Sequence, residues 1–317
     1  MTAGWVAGSV RARALARRRL GYGGCRALAS APSLEAALTR LASTPYGHDV
    51  KVGQSLAVAE HAVGETVLWH LRVLAGWLPP GGAGGLRVLA AGFEIANTDE
   101  HLRRLAGREG VAYGDVAPYR LGTLATAWPR LAVTTSLAGV RDVLRASAWT
   151  DPGDPSERAV RQAMRLSWAG RVAAAVPAAR NWAAGATVLL VARTLPPGAR
   201  RLPADLNRAA TVLLGRPAMT ARTLPELAER LPRNLGWVLT AVPTTRAAAA
   251  DELWRAESTW WRRVESDGCI LLHRSGPGPE VPLGAAAVLA TDGWRVRAAL
   301  EVAARGGGPL EAFDAVA

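Results

Sequence analysis

A short, leucine-spaced helix that returns along the chain constrains the fold more than any other feature. In residues 33–47, Leu34, Leu38, Leu41 and Ala42 fall on one face at the i, i+4, i+7, i+8 spacing of an amphipathic helix. Ser33 stands where an N-cap is needed, and Glu35 complements the positive end of the helix dipole. Pro45 ends the run because it has no N–H and disfavours helical geometry in its predecessor, and Tyr46-Gly47 turns the chain. A second copy starts at Ser136. Without a gap, Leu137 falls on Leu34, Val140 on Ala37, Leu144 on Leu41 and Trp149 on Tyr46. A third starts at Thr223, with Leu224, Leu227 and Leu231 before Pro232. The copies are separated by about 100 and about 90 residues, too long for a solenoid repeat and close to a small domain.

Around these segments the chain reads as helix after helix. Alanine, leucine and arginine dominate, and runs of aromatic and β-branched residues are scarce, so an all-α fold is expected. Half the residues are hydrophobic and 20% are charged, a globular balance rather than a disordered one. Helices are expected over 5–20, stopped by Gly21-Tyr-Gly-Gly, over 33–44, over 54–78, and over 86–105 with an interruption near Gly92. Further helices are expected over 121–132, 137–147, 156–175, 180–193, 205–214, 224–231, 251–266 and 283–305. Glycine- and proline-rich stretches at 107–118 and 196–198 divide the chain into helical domains over 1–112, 113–198 and 199–317.

Charge narrows the partners less than it first suggests. The net charge of +12 is almost wholly arginine, since Lys51 is the sole lysine. Solvated basic helix faces, nucleic acid and an anionic membrane surface are all compatible with it. Cys25 and Cys269 lack metal-ligand spacing, which fits a reducing cytoplasm. The most apolar run, 183–192, has about half the ~20 residues of a spanning helix. Arg11, Arg13 and Arg17 to Arg19 are expected not to belong to a secretory leader, because no apolar run accompanies them.

Motifs of catalysis are not found. No Gly-x-x-x-x-Gly-Lys-Ser/Thr loop or Gly-x-Ser-x-Gly elbow occurs, and the glycine clusters at 21–24 and 81–85 do not follow strand patterns. His61 and Glu65 share a helical face as a metal-ligand pair would, without a third ligand nearby in sequence. Glu94, Asn97, Asp99 and Arg103 form the densest polar constellation. No catalytic residue, cofactor or metal is expected.

Several segments, in order, resemble the C-subunit family of the V/A-type rotary ATPases, related to the d-subunit family of the eukaryotic V-ATPases. These are Val10-Arg-Ala-Arg-Ala-Leu, residues 31–47 ending Thr-Pro-Tyr-Gly, Phe93-Glu-Ile-Ala-Asn-Thr-Asp-Glu-His-Leu-Arg, and Pro282 to Arg297. The middle of the chain matches weakly, and Ser9 stands where the family has asparagine. The resemblance implies three similar helical domains arranged as a shallow funnel. It implies a non-catalytic role in the central stalk, coupling the central shaft to the membrane rotor ring on the cytoplasmic face of the membrane. Arg11, Arg13, Glu94, Asn97, Arg103, Asp292, Arg295 and Arg297 are then the expected partner-facing residues. The arginine excess keeps a helical nucleic-acid-binding protein open as the alternative, and dispersed catalytic groups on helices as a third.

Overall fold

The computed structural model describes residues 3–107, 116–195, 201–243, 252–308 and 310–316. All regular elements among them are helical. The first are α1 (Ala3–Arg17), α2 (Gly21–Ala29), α3 (Leu34–Ala42), α4 (Leu56–Gly76) and α5 (Gly84–Leu105). Then come α6 (Trp128–Leu131), α7 (Leu137–Arg145), α8 (Glu157–Ala175), α9 (Arg180–Ala192) and α10 (Ala204–Leu214). The last are α11 (Arg216–Met219), α12 (Leu224–Arg230), α13 (Leu253–Leu272), α14 (Glu280–Ala304) and α15 (Leu310–Val316). No helix among the described residues is long and apolar enough to cross a membrane.

The chain forms two compact units, both discontinuous in sequence. The first comprises Met1–Leu86, Glu109–Leu124 and Val264–Ala317; the second, Arg87–Arg108 and Ala125–Arg263. The expected boundaries at 112/113 and 198/199 lie outside the described residues. The first unit is built on α14, which packs against α1, α2, α3 and α4. Its residues from Val281 to Leu289 are buried without a break, as in a helix surrounded on all sides. Among the described residues, the second unit has two apolar clusters. One gathers Ala91, Ile95, Leu131, Val140, Leu144 and Trp149, and the other Val188, Leu206, Leu214, Leu227, Leu235 and Ala256. α8 feeds both, giving Val160 and Met164 to one and Ala163 and Leu166 to the other.

The three capped helices form where the spacing places them. Ser33, Ser136 and Thr223 accept hydrogen bonds from the backbone N–H groups of Ala36, Gly139 and Glu226 at 3.2, 3.1 and 3.3 Å. Other expectations need correction. The glycines at 21–24 do not end structure: Gly21, with φ of 70°, makes the turn and also starts α2, which buries Cys25, Leu28 and Ala29. α5 runs through Gly92 without a break. The span 121–132 holds only a 3-10 turn at Gly122–Leu124 and the four-residue α6, because Pro129 at the second helical position suits a start and not an interior.

Candidate functional site

Among the described residues, two buried carboxylates organise the polar interior, one in each unit. In the first, Asp292 of α14 is 1% exposed and lies against the start of α2. It accepts the backbone N–H groups of Leu20 and Gly21 at 2.9 and 2.7 Å and the Tyr46 hydroxyl at 2.8 Å. In the second, Glu94 of α5 is fully buried. It accepts the N–H groups of Thr126 and Ala127 at 2.6 and 2.7 Å and the Trp149 indole N–H at 2.8 Å. Thus each carboxylate caps the helix preceding a serine-capped helix, then receives the aromatic donor that follows it.

The aromatic residues are positioned by the same local device. The Thr44 hydroxyl donates to the Leu41 carbonyl at 2.7 Å and accepts the Tyr46 N–H at 3.2 Å. The Ser147 hydroxyl donates to the Leu144 carbonyl at 2.8 Å and accepts the Trp149 N–H at 3.1 Å. Hydroxyl turns of this kind offer the chain a fixed exit from the helix. In the third segment Trp237 donates instead to the Asn234 carbonyl of its own turn at 3.0 Å.

Electrostatics follow from burial. Loss of water pushes the Asp292 carboxyl up, opposed by the Leu20 and Gly21 N–H groups, the Tyr46 hydroxyl and Arg19. Burial, with Asp292 adjacent, holds the Tyr46 hydroxyl well above its ordinary range and raises the Cys25 thiol, leaving that thiol protonated. Burial lowers the Arg171 guanidinium, while Glu94 opposes the change. Arg171 sits 4.8 Å from the centroid of the Trp149 ring and donates to the Thr126 hydroxyl at 3.2 Å.

The expected partner-facing residues divide into two groups. Glu94, Asn97, Asp292 and Arg295 are buried within the chain itself. Arg295 forms a two-pronged pair with Glu265 at 2.7 and 2.6 Å, joining α14 to α13. Arg11, Arg13, Arg103 and Arg297 are partly exposed. Arg11 lies 6.0 Å from the Trp77 ring centroid. Arg13 donates to the Leu272 and Arg274 carbonyls at 3.2 and 2.6 Å. Arg103 pairs with Glu100, one turn away. Arg297 opposes the rise that burial and Glu301 impose on the Glu60 carboxyl. Asp99 receives Arg161 at 3.2 Å and Arg165 at 2.6 Å, both from α8.

Sequence reasoning singles out both carboxylates but not their aromatic partners as site residues. The usable signal is the alignment of Trp149 with Tyr46. His61 stacks on Tyr119 with centroids 4.1 Å apart and approaches Glu65 at 3.6 Å. Among the described residues, no group of three or more His, Cys, Asp or Glu side chains could hold a metal ion. Neither the protein-family models nor the curated proteins contain a match to this chain.

Proposed function

We propose that this chain is a non-catalytic adaptor in the central stalk of a V/A-type rotary ATPase, joining the shaft to the membrane rotor ring. The observation that supports this reading best is the recurrence of one arrangement in two units: serine-capped helix, hydroxyl turn, aromatic donor and buried carboxylate. A chain built by repetition suits a mechanical part, which needs similar rigid modules more than a single reactive cleft. In this reading the modules are three and form a shallow funnel on the cytoplasmic face of the membrane. The ordered resemblance of the segments at 10–15, 31–47, 93–103 and 282–297 supports the same assignment.

The test is affinity purification of the tagged full chain from its native cells, membranes included. Nucleotide-binding and shaft subunits of a rotary ATPase should co-purify in fixed ratio. The chain should leave washed membranes in high salt or alkaline carbonate without detergent. Absence of those subunits would overturn the assignment. Salt-dependent recovery of nucleic acid in their place would favour the alternative, which the net charge of +12 motivates.

A further inference from the structure

We propose that the outward face of α1, with Trp77 beside it, is a docking surface for an anionic phospholipid membrane. The helix is amphipathic in an unusual sense. Gly8, Ser9, Ala12, Leu15 and Ala16 are buried, whereas Val6 and Val10 are 49% and 63% exposed. Ala3 and Ala14 are exposed along the same line, which ends at the exposed Arg17 and Arg18. Size fixes which side packs inward. A Cβ at Gly8 would come within 2.5 Å of Leu78 Cδ2, and one at Gly4 within 3.0 Å of Pro79 Cβ. Small residues therefore let α1 lie close on the chain that follows α4, leaving the aliphatic side chains outside. The Arg13 bonds to the Leu272 and Arg274 carbonyls hold the helix in that orientation.

Charge and ring chemistry select the partner. α1 carries no acidic residue; Arg17 and Arg18 are exposed at the end of the strip, and Arg11 and Arg13 are partly exposed beside it, whereas Arg26 is already paired with Asp314 at 3.0 Å. Trp77 is 51% exposed, with the Arg11 guanidinium near its ring. Aliphatic residues flanked by tryptophan and arginine match the passage from acyl chains to anionic headgroups. Two valines and a tryptophan offer little apolar area, so adsorption requires the basic residues as a second signal and is reversible and salt-sensitive. This inference does not rest on the rotor reading, since vesicles contain no rotor protein.

The experiment is flotation of the full chain with phosphatidylcholine vesicles, with or without about one third phosphatidylglycerol. The chain should float with the anionic vesicles in about 0.1 M salt, dissociate in about 0.5 M salt, and ignore the neutral ones. Val6→Asp and Val10→Asp should each reduce bound protein by about tenfold, as should the double charge reversal Arg17→Glu, Arg18→Glu. Both valines are exposed, so the melting curve should not change; Val10→Gln is the milder substitute if it does. Arg145→Glu and Arg208→Glu, at side chains 61% and 78% exposed in the second unit, serve as controls and should change binding by less than about twofold. Equal losses in the controls, unaltered binding by both valine variants, or no preference for anionic vesicles would overturn the proposal. So would failure to float at low salt, the result expected if the strip receives an acidic protein helix.

Discussion

Tyr46 and Trp149 differ in size and in the donor they carry, yet each closes the coordination of a carboxylate drawn into the core. A hydrogen bond to a charged acceptor contributes about 1.5–3 kcal/mol, more than a neutral one, because the buried anion lacks water. Tyr46→Phe removes that donor and almost no volume. It should destabilise the first unit by about 1.5–3 kcal/mol in chemical denaturation; a loss below about 0.5 kcal/mol would mean that the other donors suffice. His70 is a second residue whose burial has a measurable consequence. Desolvation, with Arg18, His48 and Arg11 nearby, lowers its pKa to about 4. Because the folded value lies below the unfolded one of 6.5, its contribution is complete above about pH 6.5 and is lost as pH falls toward 4. That loss amounts to at most about 3 kcal/mol. His70→Gln should flatten this part of the stability profile, and an unchanged slope would assign the acid sensitivity to other groups.

The elements are legible in proportion to how local their determinants are. α3, α7 and α12 follow from a hydroxyl residue, an apolar period and a nearby breaker, all within about four turns of chain. Ser33→Ala and Ser136→Ala should each destabilise by about 1 kcal/mol, since each leaves a helix N–H group without its acceptor. Ser33→Gly and Ser136→Gly should cost only a few tenths of a kcal/mol, and thermal melts of the four variants can rank them. α2 escapes sequence reasoning because Gly21, Gly23 and Gly24 have low helix propensity, and packing against α14 outweighs it. The roles of Glu94 and Asp292 are legible only as polar positions worth attention. Their aromatic donors lie 55 and 246 residues away, a pairing set by tertiary packing and invisible in local spacing. For the same reason, burial of Arg295 against Glu265 cannot be told from exposure on a partner face by spacing alone.

At the scale of the whole molecule, the discontinuity of the units is the main departure from a chain of successive modules. Residues far apart in sequence share one unit, and the long central stretch supplies most of the other. A defect in α14 should therefore appear in segments distant in sequence before it appears in neighbouring ones. Asp292→Ala removes the acceptor for Leu20, Gly21 and Tyr46. Hydrogen exchange measured by mass spectrometry should rise about tenfold or more in peptides from 20–74 and 280–304, with little change in 137–192. A uniform rise along the chain would show that the two units open together.

The distance in sequence between α14 and the helices it covers also orders events on the ribosome. The segment up to Leu86 leaves the exit tunnel long before the helix on which it packs has been translated. At ~5–20 residues/s, the intervening stretch of roughly 190 residues takes roughly 10–40 s to make. During that interval α2, α3 and α4 have no α14 to pack against, and Val63 and Val67 of α4 lack the close approach of Gly293. Until α14 is made, the faces of α2, α3 and α4 that it covers therefore stay open to water, and the first unit completes its core only after most of the second has been translated.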